Sequence, residues 1–263
     1  MQRHAPSADI SPKQLAADIA AALLFSTRLP LPRAAAITGA DLARASWALP
    51  VAGAVVGLMA AVIYWLVRGT GLPPLVAAGL TVAATLVATG CLHEDGLADV
   101  ADSFGGGTRE RKLEIMRDSR IGTYGVCALF MSLLLRTAAL AAIADPALAA
   151  PVLVATHTAA RSHMALFMRL VPPARADGLS VGVGTPPRES AIAALIIGVI
   201  ALGVGLGLMA GIFAIVLLAA EFAFLRWLCM RQIGGQTGDV LGALEQTGEM
   251  TILLVAAAAN AAG

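Results

Sequence analysis

The chain has 263 residues, of which 58% are hydrophobic and 13% charged, with a mean hydropathy of +0.81. That is too apolar for a soluble domain of ordinary composition, so lipid is part of its solvent. A net charge of +1, with no basic patch carrying interleaved aromatics, sets nucleic acid aside as a partner, and three scattered cysteines (Cys91, Cys127, Cys229) speak against a disulfide framework or a zinc site.

Ser11-Pro12 reads as an N-cap followed by proline at the first helical position. Leu15, Ile19 and Leu23 then recur at helical spacing opposite Lys13, Gln14 and Asp18, which predicts a helix lying on the membrane surface. Its apolar run, Ile19 to Phe25, is too short for a signal peptide and follows acidic as well as basic residues. Pro30 and Pro32 break it. Residues 1–45 are therefore an N-terminal interfacial segment, and residues 46–263 a transmembrane helical domain.

A span needs about 20 mostly apolar residues. That criterion predicts spans at Ser46 to Val67, Leu75 to Leu92, Ile121 to Ile143 and Pro151 to Leu170. The tract Ala191 to Met230 is too long for one crossing and divides near Met209-Ala-Gly211, and a short last span begins near Met250. The predicted fold class is thus all-α: a polytopic transmembrane bundle of about six or seven spans, with interfacial helices at the N-terminus and in the 93–120 loop. The basic residues Lys13, Arg28, Arg33, Arg44, Arg109 to Arg120, Arg175, Arg188 and Arg231 all fall on one side of this arrangement. The positive-inside rule makes that side cytoplasmic and brings the loops 93–120, 171–190 and 231–249 together.

The polar chemistry is concentrated there. Seven of the 17 acidic residues lie between Glu94 and Asp118. Asp95, Asp99 and Asp102 are spaced i, i+4, i+7, so on a helix continuing from the second span they occupy about 60° of one face. Three stacked carboxylates repel one another without a counter-charge, and a hard divalent cation of the Mg²⁺ kind supplies one. A solvated acidic loop balanced by its basic neighbours is the competing reading, but ionisable groups beside a span are functional by default.

Gly105-Gly-Gly107 ends this helix, and Thr108 caps a second, amphipathic one that runs into Asp118-Ser-Arg-Ile-Gly-Thr-Tyr-Gly125. Arg117 and Arg120 can hold phosphate, and Ser119 and Thr123 can donate to it; lipid headgroups are the alternative ligand. Gly234-Gly-Gln236-Thr237-Gly-Asp239 is a polar glycine-rich loop that brings a further carboxylate, with Glu245 and Glu249 beyond it. Arg161, in the fourth span, must face the bundle interior and suits an anionic substrate. His157 and His163 are core residues or ligands, and Arg136 is a snorkelling or paired cation.

Three of these segments resemble the cobalamin synthase family: His93-Glu-Asp95-Gly-Leu-Ala-Asp99, Leu113-Glu-Ile-Met-Arg-Asp-Ser-Arg120 with Gly122, Thr123 and Gly125, and Gly234 through Ala243. Weaker similarity at Thr27-Arg-Leu-Pro30, Trp47-Ala-Leu-Pro50, Ala160-Arg-Ser162 and Asp177-Gly-Leu179 extends it over nearly the whole chain. Glu94 departs from the family pattern, which has an apolar residue there. The resemblance implies an adenosylcobinamide-GDP ribazoletransferase of the bacterial inner membrane, its site facing the cytoplasm. In that reaction α-ribazole or its 5′-phosphate attacks the cobinamide-linked phosphorus and GMP leaves, with Mg²⁺ required. It further implies Asp95, Asp99 and Asp102 as metal ligands, with Asp118 and Asp239 as further candidates. Asp95, Asp99 or His93 is the proton acceptor; Arg117, Arg120 and Arg161 hold phosphates, and Ser119, Gln236 and Thr237 bind substrate. A homo-oligomer or a biosynthetic complex is a further expectation. A CDP-alcohol phosphotransferase is the rival enzyme, although Asp95-Gly-Leu-Ala is followed by Asp99 where that family has Arg. A transporter is the non-enzyme alternative.

Overall fold

The computed structural model describes residues 11–31 and 37–262, so Pro32 and Arg33 lie outside the described residues. The first helix, α1 (Pro12–Ser26), starts as expected: the Gln14 amide donates to Ser11 Oγ at 3.2 Å. It is less superficial than its periodicity predicts. Asp18 is buried, accepting from Arg44 Nε at 3.1 Å and from Trp47 Nε1 at 2.9 Å, which fastens α1 to α2 (Gly39–Ala45) and to the 3₁₀ turn Ser46–Ala48.

The remaining helices are α3 (Leu49–Gly69), α4 (Pro74–Thr89), α5 (Leu92–Ser103), α6 (Arg109–Ile115), α7 (Thr123–Ile143), α8 (Pro146–Ser162), α9 (Met164–Leu170), α10 (Leu179–Val183), α11 (Arg188–Leu206), α12 (Leu208–Ile233) and α13 (Gly238–Ala262). Among the described residues five stretches are long and apolar enough to cross a membrane: Gly39–Gly69, α7, α11, α12 and Gly238–Ala261. The pair α4 and α5, bent by 92°, is long and apolar enough only when taken together, as a broken span or a re-entrant loop. The chain is an all-α integral membrane bundle.

Small residues set the packing. A Cβ on Gly53 would lie 2.0 Å from the His157 carbonyl, and one on Gly57 2.6 Å from that of Leu153, so α3 and α8 touch backbone to backbone. Three differences from the sequence reading matter for the site. The long apolar tract divides at Gly207 (φ 78°) and not near Met209 to Gly211. The last helix begins at Gly238, 12 residues before Met250, which takes Glu245 and Glu249 out of a loop and into the bundle. The second span does not run straight into the carboxylate helix: Gly90 and Cys91 both adopt left-handed backbone (φ 66° and 56°), and the chain turns there. Cys91 has no sequence signature of such a turn, because a β-carbon disfavours that region.

Candidate active site

Helix α5 is wedged between α7 and α13, and its two faces carry different chemistry. Its approach to α13 is close: a Cβ on Gly96 would lie 2.7 Å from the Asp239 carbonyl oxygen. At the far end, the Asp102 carboxylate accepts from the amides of Gly122 at 2.7 Å and Gly125 at 2.8 Å, the first turn of α7. An anion at the N-terminus of a 21-residue helix is favoured by its free amides and its dipole, so Asp102 ties the end of α5 to the start of α7. Asp95, by contrast, is exposed, and Asp99 is half-buried.

Two cavities open on these carboxylates. The larger, about 560 Å³, is lined by Asp95, Asp99 and Asp239 together with Arg117, Asp118, Ser119 and Arg120. The smaller, about 150 Å³, is walled by Phe25, Leu49, Met164 and Met168, with His93 and Arg175 at its polar end. Asp95 and Asp239 border both. Arg175 Nη2 stands 3.8 Å from Asp239 Oδ2, the one cation within salt-bridge distance of Asp95, Asp99 or Asp239 among the described residues. Elsewhere on the lining of the larger cavity Arg120 Nε donates to both Asp118 oxygens, at 3.0 and 3.1 Å, and this pairing holds the Asp118 carboxyl down at about 2. Arg117 pairs with Asp177, linking two loops at the mouth.

The Gly234 to Asp239 motif braces the site. Gln236 is buried, its amide donates to Pro172 O and its carbonyl accepts from the Ala174 amide, both at 2.8 Å, while its side-chain oxygen accepts from Ser180 Oγ at 2.8 Å. Thr237 Oγ1 donates to Asp239 Oδ2 at 3.1 Å and accepts from the Val240 amide at 3.3 Å, orienting the carboxylate and capping α13.

Beneath the cavities lies a second polar layer, closed to solvent. Arg161 Nη1 lies 2.6 Å from Glu245 and 3.1 Å from Glu249, so the structure places this arginine among α13 carboxylates and away from both cavities. Arg136 donates to Glu249 at 2.8 Å and to Glu94 at 3.0 Å. His157 Nδ1 shares a 2.5 Å hydrogen bond with Glu249, and Gln246 donates to Glu94 and Glu245, both at 3.0 Å. His93 Nδ1, 3.3 Å from Glu245 Oε2, joins this layer to the smaller cavity. Ligand atoms of His157, Glu245 and Glu249 lie within 4.8 Å of one another, close enough to hold a metal. Two guanidinium groups already neutralise those carboxylates, and a dication added there would meet like charge at contact distance.

The sequence reading found the carboxylates but missed this layer. Arg136 and Arg161 signalled that partners had to exist inside the bundle; the partners went unread because residues 231–249 looked like a loop. Arg175 was noted only as a loop cation. His163 is buried and packs edge-on against Phe222, a core residue.

Comparison with known proteins identifies the family. The family model for cobalamin-5-phosphate synthase matches residues 18–257. A protein of Bradyrhizobium diazoefficiens named adenosylcobinamide-GDP ribazoletransferase is 54% identical over 247 residues, covering 94% of this chain and 95% of its own. One of the same name from Mesorhizobium japonicum is 51% identical over 255 residues, with 97% and 98% covered. A third, from Azorhizobium caulinodans, is 46% identical, with 92% and 95% covered. No solved structure matches the chain. With a family match over most of its length and such relatives, the chain belongs to the cobalamin-5-phosphate synthase family.

Proposed function

We propose that this chain joins adenosylcobinamide-GDP to α-ribazole or its 5′-phosphate, releasing GMP, where its two cavities meet at Asp95 and Asp239. The observation that carries this reading is the shared wall: two substrates held in separate cavities come together only there. A ribose hydroxyl oxygen of ribazole bonds to the cobinamide-linked phosphorus, and the bond from that phosphorus to the bridging oxygen breaks. GMP leaves with the electron pair, and the hydroxyl proton passes to Asp95, Asp99 or His93. Family membership removes the ground for the CDP-alcohol phosphotransferase and transporter alternatives.

The residues fit a divalent cation. Asp95, Asp99 and Asp239 offer carboxylate oxygens along the larger cavity, with Arg175 at 3.8 Å from Asp239 the one cation within salt-bridge distance of them among the described residues. Mg²⁺ suits such an open set, because it keeps several waters and is completed by substrate phosphates. When bound it would neutralise charge on the transferred and leaving oxygens. Arg117, Ser119 and Arg120, which line the same cavity, hold and orient the guanylate phosphates. Asp102 and Asp118 support this set from outside, one spent on the α7 amides and the other on Arg120. We read this end of the bundle as cytoplasmic because its loops carry the basic residues, and the protein as one of the inner membrane.

Purified protein given adenosylcobinamide-GDP and α-ribazole 5′-phosphate is expected to release GMP only with Mg²⁺ present, followed by chromatography. GMP release unaffected by a chelator would sink the metal reading; no GMP under any condition would sink the reaction.

A further inference from the structure

We infer that the smaller cavity takes the aromatic base of ribazole, with the Ser46 hydroxyl donating to its free ring nitrogen and Arg175 meeting the 5′-phosphate. The assignment rests on the reaction proposed above and adds the orientation of one substrate. Ser46 is 2% exposed and lines the cavity, yet its Oγ has no hydrogen-bond partner. Buried hydroxyls are nearly always paired, so an orphan facing a cavity marks the place of a ligand acceptor. The other hydroxyl on the wall, Ser180, is already committed to Gln236. Arg175 Nη1, at the polar end, is buried and likewise without a partner.

The walls choose among the available groups. Phe25, Leu49, Met164 and Met168 offer apolar and polarisable surface, which suits the face of an aromatic ring. An apolar cavity of about this volume takes up benzene, whereas a corrin macrocycle is far larger than 150 Å³. Guanine carries several donors and acceptors that these walls would leave unpaired, at a cost in affinity. A benzimidazole presents apolar faces and a single ring-nitrogen acceptor, which one serine hydroxyl satisfies. With the base seated there, the ribose faces Asp95 and Asp239 at the cavity's polar end, and the larger cavity is left for the nucleotide half of the other substrate.

The test is titration calorimetry on the full chain in detergent, without metal, using α-ribazole and an analogue with CH in place of the free ring nitrogen. The wild type is expected to prefer α-ribazole by about five- to tenfold, one hydrogen bond's worth. Ser46→Ala should erase that preference and leave the analogue's affinity within about twofold. Met168→Trp, which fills the cavity, should weaken both ligands by about tenfold or more while the affinity for adenosylcobinamide-GDP, read by the same calorimetry, holds. In Ser46→Ala an unchanged preference, with or without an equal loss for both ligands, overturns the assignment, as does no α-ribazole binding by the wild type. Because binding is read without metal or turnover, the outcome is separate from that of the Mg²⁺ experiment: GMP release indifferent to chelation leaves a lost preference in Ser46→Ala standing as support.

Discussion

The two polar layers of the bundle hold similar residues and balance them in opposite ways. In the inner layer Glu94, Glu245 and Glu249 are matched by Arg136, Arg161 and His157, all buried and all from the chain itself. In the outer layer Asp95, Asp99 and Asp239 line a cavity, and among the described residues only Arg175, at 3.8 Å from Asp239, comes within salt-bridge distance of them. A layer that supplies its own counter-charge is closed, and it fixes how α5, α7, α8 and α13 register in a low-dielectric interior. One that leaves carboxylates unmatched against water is open, and it calls for cations from solution. The same side chains are therefore scaffold at one depth and chemistry at another.

The largest expected effect lies in the outer layer. Asp95→Asn keeps the shape and removes the charge, and kcat should fall by about 10²–10³-fold or more in the GMP-release assay, with unchanged membrane insertion. Removing a charge from the inner layer should do the reverse. Arg161→Met leaves Glu245 and Glu249 short of a counter-charge, a loss of about 3–5 kcal/mol read by thermal unfolding in detergent. KM for adenosylcobinamide-GDP per folded molecule should hold. A raised KM with unchanged unfolding would return Arg161 to the substrate and break the comparison.

Asp102 lies between the two extremes. Asp102→Ala removes the acceptor for two α7 amides and should cost about 0.5–2 kcal/mol, as loss of a helix cap does. If Asp102→Ala instead behaves like Asp95→Asn, with normal stability and lost turnover, its carboxylate belongs to the open layer. The smallest effect concerns Asp118. Its carboxyl is held at about 2, below the ordinary 3.8, by the Arg120 side chain. A depressed carboxylate contributes stability above the unfolded value, and that contribution is lost as pH falls from about 3.8 toward 2. The pair therefore stays ionised across the working range, and Asp118→Asn should leave the acid limb of the pH–rate profile where it is. A shifted limb would make Asp118 part of the titrating machinery.

Much of the open layer was legible in the sequence because one helix carries it. Asp95, Asp99 and Asp102 show their spacing directly, and the acidic run stands out against an apolar chain. Their differing duties were not legible: Asp102 meets Gly122 and Gly125 only once α5 has turned away from α4 at Gly90-Cys91. The closed layer was half visible. Arg136, His157 and Arg161 announced buried charge, but their partners sit on a helix whose glycine and glutamate content reads as a loop. Thr237 caps α13 at Gly238, and the arginines pair with Glu245 and Glu249 farther along it. The smaller cavity was invisible, since Phe25, Ser46, Met164 and Arg175 come from separate elements that only tertiary packing assembles.

The most direct test of the open-versus-closed distinction is a Mn²⁺ titration followed by electron paramagnetic resonance, Mn²⁺ standing in for Mg²⁺. The wild type and Glu249→Gln are expected to bind the ion alike, within about twofold, and Asp95→Asn to bind it about tenfold or more weakly. Loss of binding in Glu249→Gln with normal binding in Asp95→Asn would move the metal to the His157, Glu245 and Glu249 cluster and contradict the assignment of the outer carboxylates.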